Sequence, residues 1–127
     1  MKRPSRAGTR GPMPLTPVEF HILLSLAAGE RHGYAILQDV SQRTDNQFGL
    51  RTGTLYTVIK RMLDGGWIED TPSPETNDDE RRRYYRLTAI GHGVMKAEAQ
   101  RLQALVTLAQ EKRVLARPRK LAPGRSR

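Results

Sequence analysis

The chain has 127 residues, no cysteine and a formal net charge of +9. That length suits one ordinary domain, and the missing thiols exclude disulfides, thiolate catalysis and cysteine-ligated zinc, in keeping with a reducing cytoplasm. No apolar run approaches the roughly 20 residues of a membrane span, and no apolar stretch follows the basic start as in a secretory signal.

The charge is unevenly spread. Residues 1–14 carry four cations and no acid, and residues 112–127 carry seven and no acid. Residues 15–111 carry the other 11 cations and all 13 acids, a net of −2. The ends can hold a polyanion loosely; any specific contact from the middle must come from local arrangement. The stretch 1–14, rich in Arg, Pro and Gly, reads as a disordered basic arm, and 116–127 as a disordered basic tail.

Within the folded part, Thr16-Pro17-Val18-Glu19 is a helix start: a capping threonine, proline at the first turn, and glutamate to complete a capping box. The helix runs to a stop at Gly29. Apolar residues, Phe20 among them, occupy more than one face, which predicts deep burial. A second helix is expected from Tyr34 to about Arg43, after Gly33. A third is expected to be capped by Thr52 and to end before Gly65-Gly66. On it Leu55, Val58, Ile59, Met62 and Leu63 share one side. Thr54, Thr57, Lys60, Arg61 and Asp64 share the other, with Gly53, and Tyr56 stands at the boundary.

Trp67–Asp70 is a short strand candidate. Residues 71–80 are polar and turn-forming, and residues 81–87 read as a second strand with an aromatic middle. Thr88 can cap a last helix over 89 to about 115. Three short helices, a hairpin and a long helix follow the plan of a winged helix-turn-helix. The expected class is thus mainly α with a small β-hairpin wing. The expected division is 15–88 for DNA binding and 89–115 for dimerisation.

Four short motifs in this order sharpen the reading: His32-Gly33-Tyr34, Gly53-Thr54-Leu55-Tyr56, Gly65-Gly66-Trp67-Ile68, and Arg83-Tyr84-Tyr85-Arg86-Leu87-Thr88 with Gly91 beyond. Together they resemble the PadR family of bacterial transcriptional regulators over about residues 15–95. Members often carry proline where Thr57 stands, and the short C-terminal region resembles the compact subgroup. The resemblance implies a sequence-specific DNA-binding repressor, paired through its last helix on an inverted-repeat operator. Family members respond to phenolic acids or lipophilic drugs. The last helix here has no aromatic residue for such a ligand to stack on, and no particular effector is expected.

Periodicity alone reads the third helix as amphipathic with a solvated polar face; the resemblance makes it the reader of a DNA major groove. Thr54, Thr57 and Arg61 are then placed to face bases, Lys60 and the Tyr56 hydroxyl to reach phosphates, and Gly53 to let the DNA backbone approach. Tyr34 either donates to a phosphate or packs in the core. Arg82 and Arg83 of the wing suit DNA contact. Arg81 is balanced between that role and neutralisation by Asp78, Asp79 and Glu80. Val94, Leu102, Leu105 and Leu108 are the candidate pairing stripe, because a helix this long outreaches so small a core.

His21, His32 and His92 are scattered at spacings unlike those of metal ligands, so neither metal nor cofactor is expected, and no catalytic constellation argues for an enzyme. Two other readings fit the bulk composition. One is a basic RNA- or ribosome-associated protein held by its tails. The other is a helical dimer that binds a small molecule or a protein.

Overall fold

The computed structural model describes residues 14–71 and 83–117. The chain order is α1 (Pro17–Ala27), β1 (Arg31–His32), α2 (Gly33–Arg43), α3 (Thr52–Asp64), β2 (Ile68–Thr71), β3 (Tyr84–Leu87) and α4 (Ala89–Glu111). The capping box forms as its residues dictate: Thr16 Oγ1 accepts from the Glu19 N–H at 3.1 Å, and Glu19 Oε1 accepts from the Thr16 N–H at 2.9 Å. Phe20, expected in the core, is half-buried against it. Helix α2 begins one residue earlier than the pattern predicts. Its N-cap is His32, whose Nδ1 accepts from the Ala35 N–H at 3.1 Å.

Thr52 is not the cap of α3. It is the first helical residue, and the N-cap is Arg51, in extended conformation with no side-chain cap bond. Helix α4 starts where expected, with Thr88 Oγ1 accepting from the Gly91 N–H at 3.0 Å. It stops at Glu111, four residues before the expected end. Arg113 takes a left-handed φ of 67°, its N–H donates to the Gln110 carbonyl, and the Val114 N–H reaches back to the Ala109 carbonyl at 2.8 Å. This is a Schellman closure, usually marked by glycine. With arginine at the left-handed position, nothing in the sequence marked it.

The strands make one antiparallel sheet in the order β1-β3-β2. The expected hairpin pairs Ile68 with Leu87 and Glu69 with Arg86. The two-residue β1 was not expected; it pairs Arg31 with Tyr85 and His32 with Tyr84. Too short to show a period of two, it exists only because β3 offers it a free edge. The His32 and Tyr84 rings meet edge to face, with centroids 5.4 Å apart.

The core lies where α1 packs against α2, α4 and β3, and α3 against α2 and β2. Ile22, Leu23, Ile36, Val40, Leu55, Ile59, Met62 and Ile68 are almost wholly excluded from solvent, and Tyr85 and Met95 close its sides. Two motif glycines are set by contacts across the fold. A Cβ on Gly33 would overlap the Tyr56 hydroxyl, and a Cβ on Gly91 would overlap the Trp67 backbone carbonyl. Thr88 ties the same corner, its Oγ1 donating to the Gly66 and Trp67 carbonyl oxygens.

Two polar clusters went unread in the sequence. Glu98 is only 5% exposed; it accepts from the Leu15 N–H at 3.3 Å and is clasped by Arg101 at 3.0 and 2.6 Å. Between α1 and α2, Asp39 accepts from Ser25 Oγ at 2.7 Å and pairs with Arg43, which also meets His21 Nδ1 at 2.7 Å. Burial, then the Arg43 charge, lowers the His21 pKa from its ordinary 6.5. The Ser25 hydrogen bond, reinforced by Arg43, lowers Asp39 from 3.8. The Arg101 hydrogen bond, reinforced by the Leu15 N–H, lowers Glu98 from 4.5.

All three groups hold their protons less tightly folded than unfolded, so each contributes stability at high pH that is lost as pH falls. Urea unfolding across pH is expected to show two declines. The first sets in below the ordinary histidine value, and the second falls in the carboxylate range. His21→Gln should abolish the first and leave the second; a first decline that survives the substitution assigns it elsewhere.

Candidate nucleic-acid interface

The exposed side of α3 is built by its own period. Leu55, Val58, Ile59 and Met62 turn into the core, which leaves Gly53, Thr54, Thr57, Lys60 and Arg61 facing solvent. The first turn is the most open part. Arg51, Thr52, Gly53 and Thr54 are all exposed, and no atom lies within 4 Å of where a Gly53 Cβ would stand. Backbone N–H groups at such an open helix start favour an anion.

Thr57 Oγ1 donates to the Gly53 carbonyl at 3.0 Å, and the residue stays exposed. Tyr56, 43% exposed, lays its ring over Gly33 at the start of α2. Tyr34 stands in that same first turn, 60% exposed rather than packed in the core, with its hydroxyl accepting from Gln38 Nε2 at 3.3 Å. The structure thus gathers Tyr34 and Tyr56 from two separate motifs.

The cations are engaged. Lys60 lies 3.5 Å from Asp64, Arg61 3.1 Å from Glu19, Arg83 2.9 Å from Asp70, and Arg86 2.7 Å from Glu69. Arg51 forms no ion pair with a described residue. The pairs of Lys60, Arg83 and Arg86 are exposed on both sides and contribute about 0–1 kcal/mol, little enough for a phosphate to replace the acid. Sequence periodicity could not find these partners, because apart from Lys60–Asp64 they come from other elements. Arg82 and the acids Asp78, Asp79 and Glu80 lie outside the described residues, as do the arm up to residue 13 and the tail from 118.

On α4, the buried residues Gly91, Met95 and Glu98 all lie in the first half. Val94 packs against the core of its own chain, Leu102 is half-exposed, and Leu105 and Leu108 are exposed. The stripe expected to pair subunits is therefore divided: its start serves the monomer and its end is uncovered. Among the described residues no His, Asp and Glu cluster could hold a metal ion, and no helix is long and apolar enough to cross a membrane.

Three helices with an open-faced third, followed by an antiparallel hairpin, define a winged helix-turn-helix. The profile of the PadR-like family of transcriptional regulators matches residues 22–97. The chain belongs to that family. A transcriptional regulator from Clostridium thermocellum is 28% identical, with a TM-score of 0.61 over 74% of this chain and 87% of its own. A PadR family regulator from Clostridium difficile is 26% identical, with a TM-score of 0.63 over 75% and 96%. An uncharacterized protein of Lysinibacillus sphaericus is 37% identical over 70 residues, 55% of this chain. The match spans 63% of that relative's length.

Proposed function

We propose that this chain is a cytoplasmic, homodimeric DNA-binding repressor, not an enzyme, that reads an inverted-repeat operator. The observation that carries the reading is the open first turn of α3, with Gly53 unobstructed and Thr54 and Thr57 beside it. A major groove admits one helix, and side chains near its N-terminus meet the base edges. In this reading residues 15–88 bind DNA, with Thr54 and Thr57 facing bases. Lys60, Tyr34 and the Tyr56 hydroxyl approach phosphates. Arg82 and Arg83 contact the flanking backbone, Arg83 by exchanging Asp70 for phosphate. Arg61 shares the reading face and meets DNA only by leaving Glu19. Helix α4 pairs the subunits through Leu102, Leu105 and Leu108, with Val94 at the edge of that contact. A twofold pair sets the half-sites about one DNA turn apart.

The test is fluorescence anisotropy on duplex DNA from upstream of the chain's own gene, against a shuffled duplex, across salt. The expected result is preference for the upstream duplex that weakens with salt, and about tenfold weaker binding for Thr57→Ala, within the roughly 1–3 kcal/mol of one base contact. Equal binding to both duplexes that vanishes when residues 1–13 and 118–127 are removed would instead support a tail-held RNA or DNA binder.

A further inference from the structure

Arg61 is the guanidinium on the reading face of α3, and it points to another helix. It lies seven residues beyond Thr54, nearly two full turns, so the two stand on the same side of α3. Its Nη2 lies 3.1 Å from Glu19 Oε2, in the first turn of α1, 42 residues away in sequence.

Glu19 differs from Asp64, Asp70 and Glu69, the acids that pair with the other cations of this surface and are 47–68% exposed. Its second oxygen, Oε1, accepts from the Thr16 N–H at 2.9 Å, so both carboxylate oxygens are engaged. Its side chain is 15% exposed, whereas Asp64 beside Lys60 is 68% exposed. The capping box therefore holds this carboxylate in place, at a helix N-terminus that favours negative charge. An arginine paired with a fixed, half-buried anion loses more by leaving than one paired with a mobile surface acid. If Arg61 turned to a phosphate, it would leave the Glu19 charge without its partner and facing a polyanion.

We propose that Glu19 is a positioning residue that withholds Arg61 from DNA. It holds the guanidinium against α1, so that α3 reads bases through its uncharged threonines, and it lowers the sequence-independent part of the affinity. This inference rests on the DNA-binding reading above and adds to it a control on how much charge the reading helix delivers.

The test is a double-mutant cycle of the full chain: wild type, Glu19→Gln, Arg61→Gln and the double variant, titrated with operator and shuffled duplexes across salt. Glutamine at position 19 keeps an acceptor for the Thr16 N–H, and urea unfolding verifies that each variant is folded. Arg61→Gln alone is expected to bind within twofold of wild type. Glu19→Gln should tighten binding to both duplexes about fivefold at 0.15 M salt and steepen the salt dependence by about one unit, as one added phosphate contact requires. The double variant should lose that gain.

Three results overturn the proposal while leaving the DNA-binding reading intact. They are an Arg61→Gln chain that loses about a unit of salt dependence, a Glu19→Gln chain with no gain, and a gain that persists without Arg61. A wild-type chain that binds no duplex overturns the DNA-binding reading and this proposal with it.

Discussion

A chain carrying Leu105→Asp and Leu108→Asp is expected to be monomeric and to bind a two-half-site operator on the order of a hundredfold more weakly than wild type. Helix α4 has 23 residues and is about 34 Å long, but nothing on it is buried beyond Glu98. Past that point Leu105 is 50% exposed, Val106 45% and Leu108 46%. Among the described residues nothing covers them. A second copy would, since a twofold axis would set the same stripe against itself.

Linking two reading helices turns the second half-site contact into an intramolecular event, and breaking the pair removes that gain without touching α3. Sedimentation measures the oligomeric state, and anisotropy on one-half-site and two-half-site duplexes measures the rest. The variant should match wild type on a single half-site. If it remains dimeric, pairing lies elsewhere on the surface; if wild type is itself monomeric, the homodimer reading fails.

Gly91→Ala is expected to cost about 3 kcal/mol of stability, toward the upper end for an overpacked site, because the added methyl meets a backbone carbonyl and not a yielding side chain. The Trp67 carbonyl is fixed twice over, accepting from the Thr88 N–H at 3.0 Å and from Thr88 Oγ1 at 3.1 Å. The first turn of α4 and the start of the hairpin must therefore move together. In a domain of this size that cost lowers the melting temperature by roughly 12–24 °C.

Gly93→Ala is the built-in comparison. Gly93 lies on the same helix with no atom within 4 Å of its would-be Cβ. There alanine should add up to about 1 kcal/mol through helix propensity alone. Thermal unfolding of the two variants reads the difference directly; equal shifts would show that the Trp67 contact is not what holds Gly91.

These expectations show unequal legibility along the chain. The helix starts at Thr16 and Thr88, the buried side of α3 and the hairpin could be read from residues a few positions apart. The motif glycines could be recognised but not explained: only packing shows that Gly33 makes room for Tyr56, and Gly91 for Trp67. The early end of α4 was illegible for a different reason. A left-handed arginine at 113 has no compositional mark, so the apolar period ran on past the closure.

Cap chemistry and helical period act within one or two turns of chain, so residues 15–111 carry enough local information to specify four helices, a hairpin and the open polar side of α3. Interactions between residues far apart in sequence are another matter. Strand β1 depends on an edge more than 50 residues away, the Leu15 N–H is satisfied by Glu98, and Arg61 is turned toward Glu19. Such contacts arise only when packing brings the two groups together. Sequence spacing therefore placed Arg61 on the reading face, and only the arrangement of α1 against α3 decided where its charge is spent.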